Sequence, residues 1–139
     1  MEIDGTTLSE VEETFGLLDD WEDRYRYLID LGRNLPPFPE EARIEENKVR
    51  GCVSQVWLIA APAPDNPDHM VFAGDSDAHI VRGLVALMLL IFSDKSREEI
   101  LATDARAILD RLGLAQHLSP MRTNGLYSML QRIGEMAAG

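Results

Sequence analysis

The hydrophobic and polar positions along this chain follow two rhythms, and the change from one to the other marks out its elements. Near the N-terminus the spacing is helical. Val11, Phe15 and Leu18 recur every three or four residues, with Ser9 and Glu12 placed as a capping box. Trp21, Tyr25, Leu28 and Ile29 then share one face of a second helix, predicted to open at Asp19 or Asp20 and to stop at Gly32. The segment NLPPFPEEARIEENK, residues 34–48, carries three prolines and many charges. It reads as an extended excursion, although Arg43 to Val49 could supply a strand.

The period then shortens to two. Val53, Gln55, Trp57 and Ile59 alternate with Ser54, Val56, Leu58 and Ala60, which predicts a strand covered on much of both faces. PAPDNPD, residues 62–68, breaks it, and His69 to Ala73 returns as a second, short strand. Connections this short favour antiparallel neighbours.

The helical period resumes for the rest of the chain. A helix capped by Asp75 or Asp77 and running through Phe92 is apolar around most of its circumference, so it must be buried. Ser96 and Glu99 form another capping box, Asp104 to Leu112 forms a helix closed by Gly113, and a last amphipathic helix spans about Arg122 to Met136. That helix turns Leu126, Met129, Leu130 and Ile133 inward. Strands in the middle and helices at both ends predict an α+β fold: a small antiparallel sheet of about three strands with helices packed on it, one domain over residues 1–139.

Composition adds little to this picture: 45% hydrophobic and 27% charged residues suit a folded protein. Charge adds more. The net charge is -11, and residues 1–46 hold 14 acidic against 4 basic side chains. Such a chain repels phosphate backbones, so no nucleic-acid partner is expected. The acidic third is either a solvated face or an acidic docking surface. The longest apolar run, Ala78 to Phe92, is too short for a bilayer and contains Arg82, so no membrane partner is expected either. An N-terminus without a secretory leader pattern, together with a single cysteine, points to the cytoplasm.

That cysteine, Cys52, is the main candidate for chemistry. A lone cysteine is by habit a packing residue. Three neighbours argue for reactivity: Gly51 permits a tight turn beside the sulfur, Lys48 and Arg50 would favour the thiolate, and the position joins a polar excursion to an apolar strand. One thiol cannot build a disulfide framework or a zinc site of several thiolates, and no metal or cofactor is expected. His69, His79 and His117 match no zinc spacing with Cys52 and read as surface or capping residues, although a Cys/His pair formed in space stays open. GDSD, residues 74–77, lacks a P-loop lysine and carries two carboxylates, so it reads as an acidic turn.

GCVSQVWL (51–58), GDSDAHIVRGL (74–84) and LSPMRTNGL (118–126) occur in the order and at the spacing of the SufE family, and LIDLGRNLP (28–36) resembles the end of its N-terminal helix. The resemblance extends from about Trp21 to Met136, and its motifs are shared by the SufE and CsdE types. It implies an IscU-like fold and a sulfur acceptor rather than a stand-alone enzyme. Such a protein takes persulfide sulfur from a pyridoxal-phosphate cysteine desulfurase onto the residue matching Cys52, stimulates that desulfurase, and passes the sulfur to an iron–sulfur cluster scaffold. Gly51, Gln55, Asp75 and Asp77 then order the loop around the thiol. Arg122 lies near the sulfur or at the desulfurase contact, and Arg50 falls where the motif fixes nothing. Three other classes remain open: a cysteine-dependent hydrolase or transferase, which needs an imidazole near Cys52, an IscU-like cluster scaffold, which needs about three cysteine ligands, and an interaction module with an inert core cysteine.

Overall fold

The computed structural model describes residues 1–139. Its centre is helix α3 (His79–Phe92), with eleven of its fourteen residues buried. Each buried Leu, Ile or Val is worth roughly 1.5–3 kcal/mol relative to exposure, so the other elements are drawn around it. On one side lies α2 (Trp21–Arg33), on another an antiparallel sheet, and α1 (Leu8–Leu17) and α7 (Pro120–Ala138) close the remaining flanks. The sheet order is β1-β2-β3, formed by β1 (Val56–Pro62), β2 (His69–Ser76) and β3 (Lys95–Ser96). Three short helices, α4 (Arg97–Ala102), α5 (Ala105–Leu112) and α6 (Leu114–His117), lead into α7. The result is an α+β fold with a three-stranded antiparallel sheet. No helix is long and apolar enough to cross a membrane.

Several boundaries differ from the sequence expectation, each for a local reason. Thr7 rather than Ser9 caps α1, its hydroxyl accepting from the Glu10 N–H at 3.3 Å. Gly32 does not stop α2 but lies buried inside it, facing Gly83 of α3; a Cβ on Gly32 would sit 2.5 Å from the Gly83 nitrogen. Arg43 to Val49 is not a strand. It forms one 3-10 turn, Glu45–Asn47, and touches β1 through one isolated bridge, Lys48 to Trp57. The third strand is Lys95–Ser96, which pairs with His69 and Met70. Strand β1 begins at Val56, so Val53 to Gln55 belong to a loop, and Val53 is 73% exposed. Neither Asp75 nor Asp77 caps α3: the cap is Ala78, whose N–H donates to Ser76 Oγ. Helix α7 starts at Pro120, capped by Ser119, earlier than Arg122. Leu126, Met129 and Ile133 are buried there, while Leu130 is only partly covered.

The α2–α3 contact is a backbone-to-backbone approach. A methyl on Gly83 would lie 2.3 Å from the Leu28 carbonyl oxygen, a rigid neighbour. Gly83→Ala should therefore cost about 2–3 kcal/mol, the usual penalty of overpacking. Gly16→Ala on the open side of α1, where no atom lies within 4 Å, should cost nothing. Urea unfolding of both variants checks the difference, and equal stabilities would contradict the close approach.

Candidate functional site

Cys52 sits in the loop between Val49 and β1, pressed against the first half of α7. The loop can lie there because residue 51 is glycine on two counts. Its φ is +89°, in the left-handed region, and a Cβ would meet Ser128 Oγ at 2.5 Å. With Gly51 flat on α7, the Cys52 thiol reaches the Gly125 carbonyl oxygen, 3.6 Å away, as a weak donor. The far end of the loop is fastened to the turn after β2. Asp77 accepts from the Gln55 N–H at 3.0 Å and from its side-chain amide at 3.2 Å, and the Asp77 N–H donates back to the Gln55 carbonyl.

Asp75 serves a different segment. Its carboxylate, buried in β2, meets Arg43 Nη1 at 2.6 Å and lies 3.0 Å from Arg82 Nε. The second contact lies off the hydrogen-bond line and acts by charge alone. Arg43 also binds Glu40 and lies over the rings of Phe38 and Trp57, both 5.4 Å from its guanidinium carbon. Its bond to Asp75, first among several carboxylate effects, holds its already high pKa higher still, against the opposing effect of burial. The proline-rich excursion is thus pinned across the end of the sheet, and the Cys52 loop starts from a fixed point.

The sulfur faces a cavity of about 160 Å³ between the loop, α3 and the start of α7. Val81 and Leu84 form its α3 wall, Gly125 and Met129 its α7 wall, and Met121 and Arg122 line it as residues with exposed side chains. Burial alone pushes the Cys52 thiol up from its ordinary pKa. The cations near it in sequence do not oppose this. Lys48 and Arg50 both turn to Glu45, at 3.2 and 3.7 Å, so the expected thiolate-favouring role of Arg50 is not realised. No histidine lines the cavity. His69 pairs with Asp94, His117 stacks on Trp21 at 3.9 Å, and His79 opens α3 as an exposed residue. No group of three or more His, Cys, Asp or Glu side chains is placed to hold a metal ion.

The structure brings Gly51, Cys52, Gln55 and Asp77 together, sets Arg122 at the cavity, and places Asp75 in an ion pair away from it. Reasoning from sequence did not single out Gly125, Ser128, Arg43 or Arg82. Arg82 left a signal as the one charge inside an apolar run, and Gly125 as a glycine within an amphipathic helix.

The α+β fold thus offers a lone half-buried thiol from a loop to a largely apolar cavity that no imidazole lines. Comparison with known proteins gives the family. The family model SufE, described as an Fe-S metabolism associated domain, matches residues 9–137. An uncharacterized SufE-like protein of Rhizobium meliloti is 53% identical over 135 residues, 96% of each chain. A second, from Rhizobium etli, is 54% identical over 133 residues, 94% of this chain and 89% of the relative. The chain belongs to the SufE family, which ties it to iron–sulfur metabolism. The solution structure of a hypothetical protein from Thermus thermophilus shares the fold, with a TM-score of 0.73 at 21% identity, over 94% of this chain and 93% of that one.

Two measurements probe the seating of Cys52. An exposed hydrogen bond contributes about 1 kcal/mol, so Asp77→Asn should raise the open population of the loop and speed iodoacetamide labelling of Cys52 roughly fivefold. Its unfolding midpoint should barely move; unchanged labelling would show that the 55–77 contact does not hold the loop. The raised thiol pKa also has a stability consequence. Above the ordinary thiol value of ~8.5 the unfolded chain loses its proton while the folded chain keeps it, so the folded state binds more protons and stability falls as pH rises. The loss begins near that value and levels off once the pH passes the folded pKa. Urea melts should show it in the parent and not in Cys52→Ser.

Proposed function

We propose that this chain carries sulfur. Cys52 takes the outer sulfur from a persulfide on a pyridoxal-phosphate cysteine desulfurase, speeds the desulfurase by relieving it of that sulfur, and delivers it towards an iron–sulfur cluster scaffold. The whole of residues 1–139 acts as one sulfur-acceptor domain. The observation that carries this reading is the setting of the only thiol: a loop position beside an apolar cavity of about 160 Å³, with no histidine in reach. Membership of a family associated with iron–sulfur metabolism supports it.

The chemistry follows from the thiol. The Cys52 thiolate attacks the outer sulfur of the donor persulfide; a new S–S bond forms at Cys52 as the donor's S–S bond breaks, and the donor cysteine leaves as a thiolate. Nothing is oxidised or reduced overall. A second thiol on the same chain would attack Cys52 Sγ of the persulfide, forming a disulfide with it and expelling the outer sulfur as sulfide, and this chain has none. A thiol kept protonated by burial does not react until the loop turns outward. The outward motion is cheap, because the Gln55–Asp77 contacts that close the loop are exposed. Arg122, exposed and without a carboxylate partner, is free to meet the desulfurase or the thiolate it presents. Gly51, Gln55 and Asp77 order the loop, and Asp75 anchors the segment before it.

Incubation with a cysteine desulfurase and cysteine, followed by mass spectrometry, tests the reading. The parent should gain one or more sulfur atoms on Cys52. Cys52→Ser, a near-isosteric change, should gain none, keep its fold and still bind the desulfurase. A parent that stays unmodified, or a Cys52→Ser variant that stimulates the desulfurase as well as the parent does, would overturn the proposal.

A further inference from the structure

Gly125 lies inside helix α7, where glycine is less favourable than alanine because its backbone loses more freedom on folding. Its φ is not positive, so the backbone does not call for it. Nor does the resting thiol: an alanine methyl there would lie 3.4 Å from the Cys52 sulfur, 3.8 Å from its Cα and 3.9 Å from its Cβ, all ordinary van der Waals contacts. Glycine therefore leaves open a space that the thiol does not need. That space adjoins the sulfur and belongs to the cavity that Val81 and Leu84 bound from the opposite side.

A second sulfur bonded to Sγ at about 2.05 Å and turned towards α7 would collide with that methyl. We propose that Gly125 is a positioning residue for the loaded form: its missing side chain reserves the seat for the outer sulfur of the Cys52 persulfide. The proposal rests on the sulfur-carrier reading and adds the residue that decides whether the cargo is sheltered. With glycine, the loop closes over the loaded cysteine as it closes over the free thiol. With alanine, the thiol still fits but the persulfide is held out, where other nucleophiles reach it.

The test loads Cys52 with inorganic polysulfide, so that no desulfurase is needed. The Cys52 thiolate takes one sulfur from the polysulfide dianion, giving the Cys52 persulfide anion and a polysulfide shorter by one sulfur. Cyanide then removes the outer sulfur as thiocyanate, returning the thiolate, and the rate of thiocyanate release reports exposure. In Gly125→Ala the loaded form should react about tenfold faster than in the parent, the effect of forcing one methyl into a filled site. Iodoacetamide labelling of its unloaded thiol should stay within about twofold of the parent, since ordinary contacts cost little. Val81→Ile, which narrows the same cavity from α3, should shift the two rates the same way and keeps the question answerable if Gly125→Ala folds poorly. Gly134→Ala, in the same helix with nothing within 4 Å, should change neither rate. Parent-like cyanolysis in both cavity variants would overturn the proposal. So would equal acceleration of cyanolysis and labelling, which would mean that the loop is merely unseated. A parent that accepts sulfur from polysulfide but not from a desulfurase would sink the carrier reading alone, leaving the cyanolysis comparison to decide the role of Gly125. A parent that neither polysulfide nor a desulfurase can load would remove both.

Discussion

Everything in this molecule is arranged around a helix that has no face for water. Along α3 the apolar side chains go all the way round, so stability demands cover on every side, and each neighbour supplies it differently. Helix α2 approaches until backbones touch, which only the Gly32–Gly83 pair permits. The sheet covers a second flank, with Gly74 of β2 close against Val85. Helix α7 covers a third. The cavity beside Cys52 opens near the first turns of α3, where Val81 and Leu84 stand between the loop and α7. The site is a by-product of covering one helix with pieces that do not quite meet.

The loop over that gap is held by contacts of very different depth. At its base, the buried Asp75 carboxylate is held by the partly buried Arg43 guanidinium, with Arg82 beside it as a second cation. At its far end, Gln55 and Asp77 exchange exposed hydrogen bonds, each worth little. Between them Gly51 and Cys52 lie on α7 without a strong bond, since the thiol is a poor donor and the carbonyl it reaches is 3.6 Å away. A segment fixed at its root and lightly fastened at its tip opens locally without unfolding what lies beneath. That mechanical grading suits the carrier role proposed for Cys52.

The thiol's electrostatics work in the same direction. Three basic side chains lie near Cys52 in sequence or around its cavity, yet burial alone sets the direction of its pKa. Two of the three are drawn off by Glu45. In the closed loop, burial therefore favours the protonated thiol.

Local chemistry was legible in the sequence. The Ser96–Glu99 capping box, the start of α2 at Asp19 or Asp20, the close of α5 at Gly113 and the burial of most of α3 each depend on residues a few positions apart, and the structure has them. The motifs around Cys52 also carried the family. What involved pairing at a distance was not legible. Alternation at Val53 to Gln55 looked like strand, but a strand exists only where another backbone meets it, and β2 reaches back only as far as Val56. Lys95–Ser96 is too short to show a period and is a strand only because β2 passes beside it. Gly32 looked like a helix stop because a sequence does not reveal that another helix needs the space of its missing side chain. For the same reason the cysteine could be named from the chain alone, whereas the partners of its loop, the fate of its neighbouring cations and the glycine across from its sulfur were decided by tertiary structure, since each depends on distances between segments that the order of residues does not contain.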